Sequence, residues 1–219
     1  MDREFWLDRW RNNKLGWHLE TVNPHLLDFW PGMPVPSRGR VFVPLCGKSL
    51  DMAWLARECG HAVVGVELSE VACREFFSEN GMEPQVEDAG AFSQFAAEGI
   101  TLLCGDLFDL DAHTLGPVDG VFDRGSLIAL PPEMRIRYAG HMESLLPARP
   151  PVLCVTLDYP QQEMAGPPFS VGPEEVESLF GNGYRVECLR DWDVLDESPR
   201  FREQGLTALH ERVFRLSAL

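Results

Sequence analysis

The feature that most constrains the fold is an alternation, between residues 41 and 157, of continuous apolar runs with segments of helical period. Residues 41–45 (VFVPL) are a short apolar run, and from Ser49 to Cys59 the residues Met52, Leu55, Ala56 and Cys59 recur at the i, i+3, i+4, i+7 spacing of one helix face. Gly60 can end that helix, residues 62–68 (AVVGVEL) read as a second buried strand, and Ser69 is a good N-cap for a helix reaching Asn80 and Gly81. The alternation continues with strands at 101–104 and 120–122, a helix from Pro132 to Leu146, and a strand over 152–157. Continuous rather than alternating apolar strands predict a sheet covered on both faces. Beyond Asp158 the pattern changes. Pro160 and residues 166–168 (GPP) mark a loop, Pro173 to Phe180 a short helix, and residues 184–189 and 212–216 two late strands, expected as an antiparallel pair at the sheet edge. With no repeat and no linker long enough to separate a second unit, residues 1–219 are expected to form one doubly wound α/β domain.

Composition narrows the function. Nineteen Lys plus Arg against 34 Asp plus Glu give a net charge of −15, which repels phosphate backbones and anionic lipid headgroups. No apolar run approaches the ~20 residues of a spanning helix, and the N-terminus lacks a signal-peptide layout, so a cytoplasmic protein without nucleic-acid or membrane partners is expected. The six cysteines are widely spaced with no C-x-x-C pair, and the histidines and acids show no metal-ligand spacing, so reduced, buried thiols and no metal site are expected. Four of the six tryptophans, Trp6, Trp10, Trp17 and Trp30, fall in the first thirty residues, outside the alternation. Trp6 and Trp10 share one face of a helix, which either packs on the sheet or forms a lid over a ligand, with residues 1–35 as the covering segment.

In an open α/β sheet the ligand binds past the carboxyl ends of the strands, so residues there carry most weight. Gly47, Lys48 and Ser49 look like the tail of a phosphate-binding loop, but the glycine required five positions before Gly47 is Phe42, and no G-x-G-x-x-G is present. Glu67 ends the second strand, where an acid can accept hydrogen bonds from both hydroxyls of a ribose, or else be a solvated carboxylate at a helix N-terminus. Asp106 follows the third strand and suits an adenine or loop contact, with Asp109 and Asp111 competing for that role. Arg124, after the fourth strand, can fix a carboxylate or an acidic acceptor, or pair with Asp123 or Asp119. A ribose-binding acid without phosphate-binding glycines calls for a nucleoside cofactor without phosphate, and S-adenosylmethionine is the common one.

Several segments together resemble the thiopurine S-methyltransferase family: residues 5–10 (FWLDRW), 41–48 (VFVPLCGK), 65–67 (GVE), 123–125 (DRG) and 166–169 (GPPF). The resemblance covers nearly the whole chain. It implies a seven-stranded class I methyltransferase fold, S-adenosylmethionine as cofactor with S-adenosylhomocysteine as product, and methyl transfer to the sulfur of aromatic or heterocyclic thiols such as 6-mercaptopurine. Matched position by position, it implies cofactor contacts by Trp10 and Leu45, ribose binding by Glu67, an adenine neighbourhood at Asp106 and Leu107, and Arg124 at the methionine end. For the acceptor it points to Trp17, Pro168 and Arg200, with Arg202 as an alternative to Arg200.

Methyl transfer of this kind demands alignment and exclusion of water more than a strong base, and a guanidinium from Arg124 or Arg200 would favour the thiolate. A methyltransferase for halide, thiocyanate or inorganic selenium and tellurium species is the alternative on the same fold, separable by the volume of the acceptor pocket. The expected partner is a small-molecule thiol, and a monomer is the default.

Overall fold

The computed structural model describes residues 3–16 and 18–219. Its first half runs α1 (Arg3–Arg11), α2 (Pro24–Phe29), β1 (Arg40–Val43), α3 (Leu50–Arg57), β2 (Ala62–Glu67), α4 (Glu70–Glu79), β3 (Gln85–Ala89), β4 (Phe92–Ala97) and β5 (Ile100–Cys104). The second half runs α5 (Ala112–Leu115), β6 (Gly120–Arg124), α6 (Ser126–Ala129), α7 (Pro132–Leu145), β7 (Val152–Asp158), α8 (Pro173–Phe180), β8 (Tyr184–Asp193), α9 (Pro199–Glu203) and β9 (His210–Ala218). Among the described residues the strands form one sheet in the order β3-β4-β5-β2-β1-β6-β7-β9-β8.

The central strands β5, β2, β1, β6 and β7 are parallel, and β9 enters antiparallel between β7 and the edge strand β8. The expected closing antiparallel pair is therefore present. The expected count of seven strands needs correction: the hairpin of β3 and β4 extends the sheet antiparallel beyond β5 to nine strands. Residues of β3 are exposed or half-buried and include Glu87 and Asp88, so this edge has no apolar run to betray it.

Local chemistry explains the boundaries. Ser49 and Ser69 cap α3 and α4 by accepting from the backbone N–H of Asp51 and Ala72. The helices cover both faces of the sheet, as continuous apolar strands require. Phe42, Val64, Val121 and Cys154 face a core with Tyr138 and Met142 of α7, whereas Val41, Val63, Phe122 and Val155 face Leu26, Met52, Phe76 and Trp30. Full burial of each large side chain is worth about 1.5–3 kcal/mol.

The amino-terminal tryptophans divide. Trp30 belongs to the core, its Nε1 donating to His61 at 3.1 Å and its ring edge-on to Phe122. Trp10 lies at the end of α1 against the loop after β1, a Gly47 Cβ falling 3.4 Å from its Cζ2. Of the cysteines, Cys46, Cys73 and Cys154 are buried and Cys59 and Cys104 half-buried, while Cys188 is exposed on β8, against the expectation for that residue. Among the described residues no helix is long and apolar enough to cross a membrane, and no group of His, Cys, Asp and Glu is placed to hold a metal ion.

Candidate active site

The order of the parallel strands reverses at β1, with β2 on one side and β6 on the other, and a cavity of about 460 Å³ opens beyond their carboxyl ends. It is lined by Trp10, Leu45, Glu67, Asp106, Leu107, Arg124, Pro168 and Arg200, so the fold brings eight of the nine expected site residues together. The ninth, Trp17, lies outside the described residues.

At the β1–β2 end the loop after β1 is shaped by two left-handed residues, Leu45 (φ 44°) and Gly47 (φ 56°). A non-glycine residue held there costs of order 1–3 kcal/mol, the kind of strain that collects at ligand sites. The loop is fastened to β2 by the Cys46 N–H, which donates to the Val66 carbonyl at 2.9 Å. The next N–H, that of Gly47, donates to Glu67 Oε2 at 2.9 Å, and the Ser69 N–H donates to Oε1 at 2.7 Å. Glu67 is only 6% exposed. Burial pushes its carboxyl up to about 7, against the opposing pull of the N–H groups of Ser69, Gly47 and Leu68. This is a fixed carboxylate at a strand end, not a solvated one on a helix.

Lys48 turns to α4, where Glu75 and Glu79 accept from its ammonium at 2.9 and 2.6 Å. Despite burial, those two carboxylates hold its pKa above the ordinary value. With both glutamates on it, Lys48 is not the phosphate-binding lysine that its neighbours suggest. Asp106 caps the turn at Leu107–Asp109 by accepting from the Phe108 N–H at 2.9 Å. Asp109 and Asp111 do not line the cavity, and Asp111 caps α5 instead.

Arg124 pairs with neither Asp123 nor Asp119. Its Nη2 donates to Ser49 Oγ at 3.1 Å and lies 3.3 Å from Asp51 Oδ2. Asp51, 1% exposed, also accepts the Ser49 hydroxyl at 2.6 Å and the Asn23 N–H at 2.7 Å. Asp123 instead accepts the Tyr138 hydroxyl at 2.7 Å beneath the sheet, and Asp119 accepts the Arg40 N–H. Asp51 is thus a site residue that the sequence reading missed. In the first turn of α3 it reads as an ordinary N-terminal acid, and only the fold brings Asn23 and Arg124 to it.

The opposite end of the cavity is walled by Leu157, Pro167, Pro168, Arg200, Phe201 and Glu211. Pro168 is held by its carbonyl, which accepts the Tyr159 hydroxyl at 2.6 Å. Arg200 of α9 reaches across to the amino-terminal segment and donates to the Gly16 carbonyl at 3.1 Å. Arg202 faces away in an ion pair with Asp196. His18, also in the wall, has its pKa lowered, first by burial and then by the charge of Lys48.

A mostly parallel sheet with this strand order and an antiparallel closing strand, a switch-point cavity and a buried acid at the end of the second strand define a class I methyltransferase fold. In agreement, the chain superposes on a SAM-dependent methyltransferase from Anabaena variabilis with a TM-score of 0.66 at 12% identity, covering 99% of this chain and 95% of that one. It also matches a 1,6-didemethyltoxoflavin-N1-methyltransferase from Burkholderia thailandensis solved with S-adenosylhomocysteine, TM-score 0.64 at 15% identity, over 98% and 87% of the two chains. The sequence profile of the thiopurine S-methyltransferase family matches residues 1–218. A thiopurine S-methyltransferase from Nitrosospira multiformis is 49% identical over 216 residues, 99% of this chain and 98% of that one. The chain belongs to the thiopurine S-methyltransferase family, whose cofactor is S-adenosylmethionine.

Proposed function

We propose that this protein methylates the sulfur of aromatic and heterocyclic thiols, with thiopurines as the model acceptors. The observation that carries the reading is that one cavity is lined both by the buried Glu67 at the end of β2 and, on the far side of β1, by Pro168 and Arg200. The cofactor end fits a nucleoside without phosphate: it offers a buried carboxylate, a glycine whose missing Cβ leaves room beside the Trp10 ring, and no free phosphate-binding lysine. S-adenosylmethionine supplies a methyl group already activated on a sulfonium sulfur.

The residues of this chain then have positional tasks. Glu67 accepts from the ribose hydroxyls with the lone pairs that Gly47 and Ser69 leave over. Asp106 and Leu107 flank the adenine, and Leu45 and Trp10 cover the nucleoside. Arg124, held by Asp51 and Ser49, binds the methionine carboxylate as a charge-assisted pair. Pro168 and Arg200 bound the acceptor, whose thiolate the guanidinium of Arg200 favours, and the family resemblance assigns Trp17 to the same acceptor. Residues 1–35 act as the cover of a single methyltransferase domain that excludes water from the reacting atoms. The cavity of about 460 Å³ has to hold the cofactor and the acceptor together. We read the protein as a cytoplasmic monomer acting on small molecules.

Transfer of label from methyl-labelled S-adenosylmethionine to 6-mercaptopurine, thiophenol, thiocyanate, iodide and selenite tests this directly. Label on the purine sulfur is the expected result. Label on the small ions alone contradicts the thiol reading while leaving the cofactor site in place.

A further inference from the structure

Glu211 has no part in the roles above, yet it lines the acceptor end of the cavity. In β9 it stands in register with Leu157 of β7, and directly paired residues of adjacent strands project from the same face. Arg124 of β6 stands in register with Val155, two residues before Leu157 on β7, so Arg124, Leu157 and Glu211 belong to one face. Two strand spacings separate β6 from β9, about 10 Å, with Val155 and Leu157 as the floor between. That is room for an aromatic ring.

The Glu211 side chain is 35% exposed, and a buried partner holds its carboxylate. His25, in α2 and 0% exposed, places Nε2 2.7 Å from Glu211 Oε2. The edge of the Trp192 ring steadies the imidazole, with centroids 6.1 Å apart and planes at 77°. His25 Nδ1 has no hydrogen-bond partner among the described residues. A buried lone pair without a partner costs less than a buried N–H without one, which selects the tautomer that carries hydrogen on Nε2 and donates it to Glu211. An ionised carboxylate has about four lone-pair sites, so His25 fixes its orientation and leaves it able to accept from the cavity.

We propose that Glu211, oriented by His25, is the base that takes the proton of the methyl acceptor. The proposal rests on the S-methylation reading and deepens it. The acceptor enters as a neutral thiol or thione, with hydrogen on sulfur or on an adjacent ring nitrogen. That proton passes to the Glu211 carboxylate, and the electron pair it leaves is delivered at sulfur, which bonds to the methyl carbon. The pair of the broken sulfonium bond stays on the cofactor sulfur, giving a neutral thioether, and Glu211 later releases its proton to solvent. His25 is a positioning residue, while Arg200 holds the negative charge as it gathers on sulfur.

The test compares two acceptors, 6-mercaptopurine, which must lose a proton, and 4-nitrothiophenol, which is already a thiolate at neutral pH. In Glu211→Gln the ratio of kcat for the first over the second is expected to fall about 10²-fold, the low end of general-base effects. In His25→Phe, which keeps the ring packing but loses the hydrogen bond, the ratio falls about tenfold. Titration with S-adenosylhomocysteine checks that each variant is folded. If Glu211→Gln fails that check, Glu211→Asp carries the same test with an expected fall of about tenfold. An unchanged ratio overturns the proposal, because a purely structural defect lowers both rates together. Failure of the unaltered protein to methylate either acceptor refutes the S-methylation reading itself and is seen without any variant.

Discussion

The two ends of the cavity are built differently. At the cofactor end, Glu67, Asp51 and the loop through Gly47 are buried, and backbone N–H groups hold the carboxylates, those of Gly47 and Ser69 on Glu67 and that of Asn23 on Asp51. At the acceptor end the walls come from segments far apart in the chain, tied by a few side-chain contacts such as Arg200 to Gly16 and His25 to Glu211. The first arrangement is rigid because its carboxylates are buried and accept from backbone N–H groups, those on Glu67 coming from the loops at the ends of β1 and β2. The second leaves the shape of the acceptor wall dependent on α9, the 166–169 loop and the amino-terminal segment, so acceptor preference can vary without disturbing the cofactor end.

That contrast can be broken most severely at Asp51. Asp51→Ala leaves Arg124, Ser49 and the Asn23 N–H without their common acceptor and is expected to cost about 3–5 kcal/mol, read from urea unfolding. A loss below 1 kcal/mol would mean that the cofactor end is not the rigid part. Next in size is Glu67→Ala, which should weaken S-adenosylhomocysteine binding by about 1.5–3 kcal/mol for each charged hydrogen bond lost, measured by calorimetry. Gly47→Ala forces a Cβ into a left-handed position facing Trp10, and about 1–2 kcal/mol of stability should be lost in thermal unfolding. The smallest effect on folding belongs to the acceptor end. Arg200→Ala should change stability by less than about 0.5 kcal/mol, as exposed substitutions do, while raising KM for 6-mercaptopurine severalfold. Equal damage to stability and KM would erase the distinction between the two ends.

The same distinction governs what the sequence reveals. The parallel strands and their helices are legible because burial on both faces demands unbroken apolar runs, and Glu67 is legible because it ends such a run. The hairpin of β3 and β4 is not, since one of its strands is largely exposed and mixes Gln85, Glu87 and Asp88 with a lone Val86. Asp51 and Glu211 escape for a different reason. Each sits in an ordinary local setting, a helix first turn or a polar strand position, and gains its role only from partners, Asn23 and Arg124 or His25, that tertiary folding supplies. Arg200 and Arg202 are two residues apart in one short helix, and nothing local says which one turns inward.

We propose that the buried carboxylate of Glu67 at the end of β2 binds the cofactor. Burial raises its pKa from 4.5 to about 7, so in the free protein it is largely protonated below that pH and ionised above it. Hydrogen bonds from ribose hydroxyls favour the ionised form, so affinity is full above about pH 7 and falls as the pH drops below it. The free protein shows the opposite trend, since the stability contributed by a raised carboxyl is present below 4.5 and lost as the pH rises through about 7. The most direct measurement is calorimetric titration with S-adenosylhomocysteine from pH 5.5 to 8.5, for the unaltered protein and for Glu67→Gln. The account predicts affinity that falls up to about tenfold per pH unit below 7 in the former, with proton release on binding, and a weaker, flatter profile in the latter. Equal affinities and parallel profiles would contradict it.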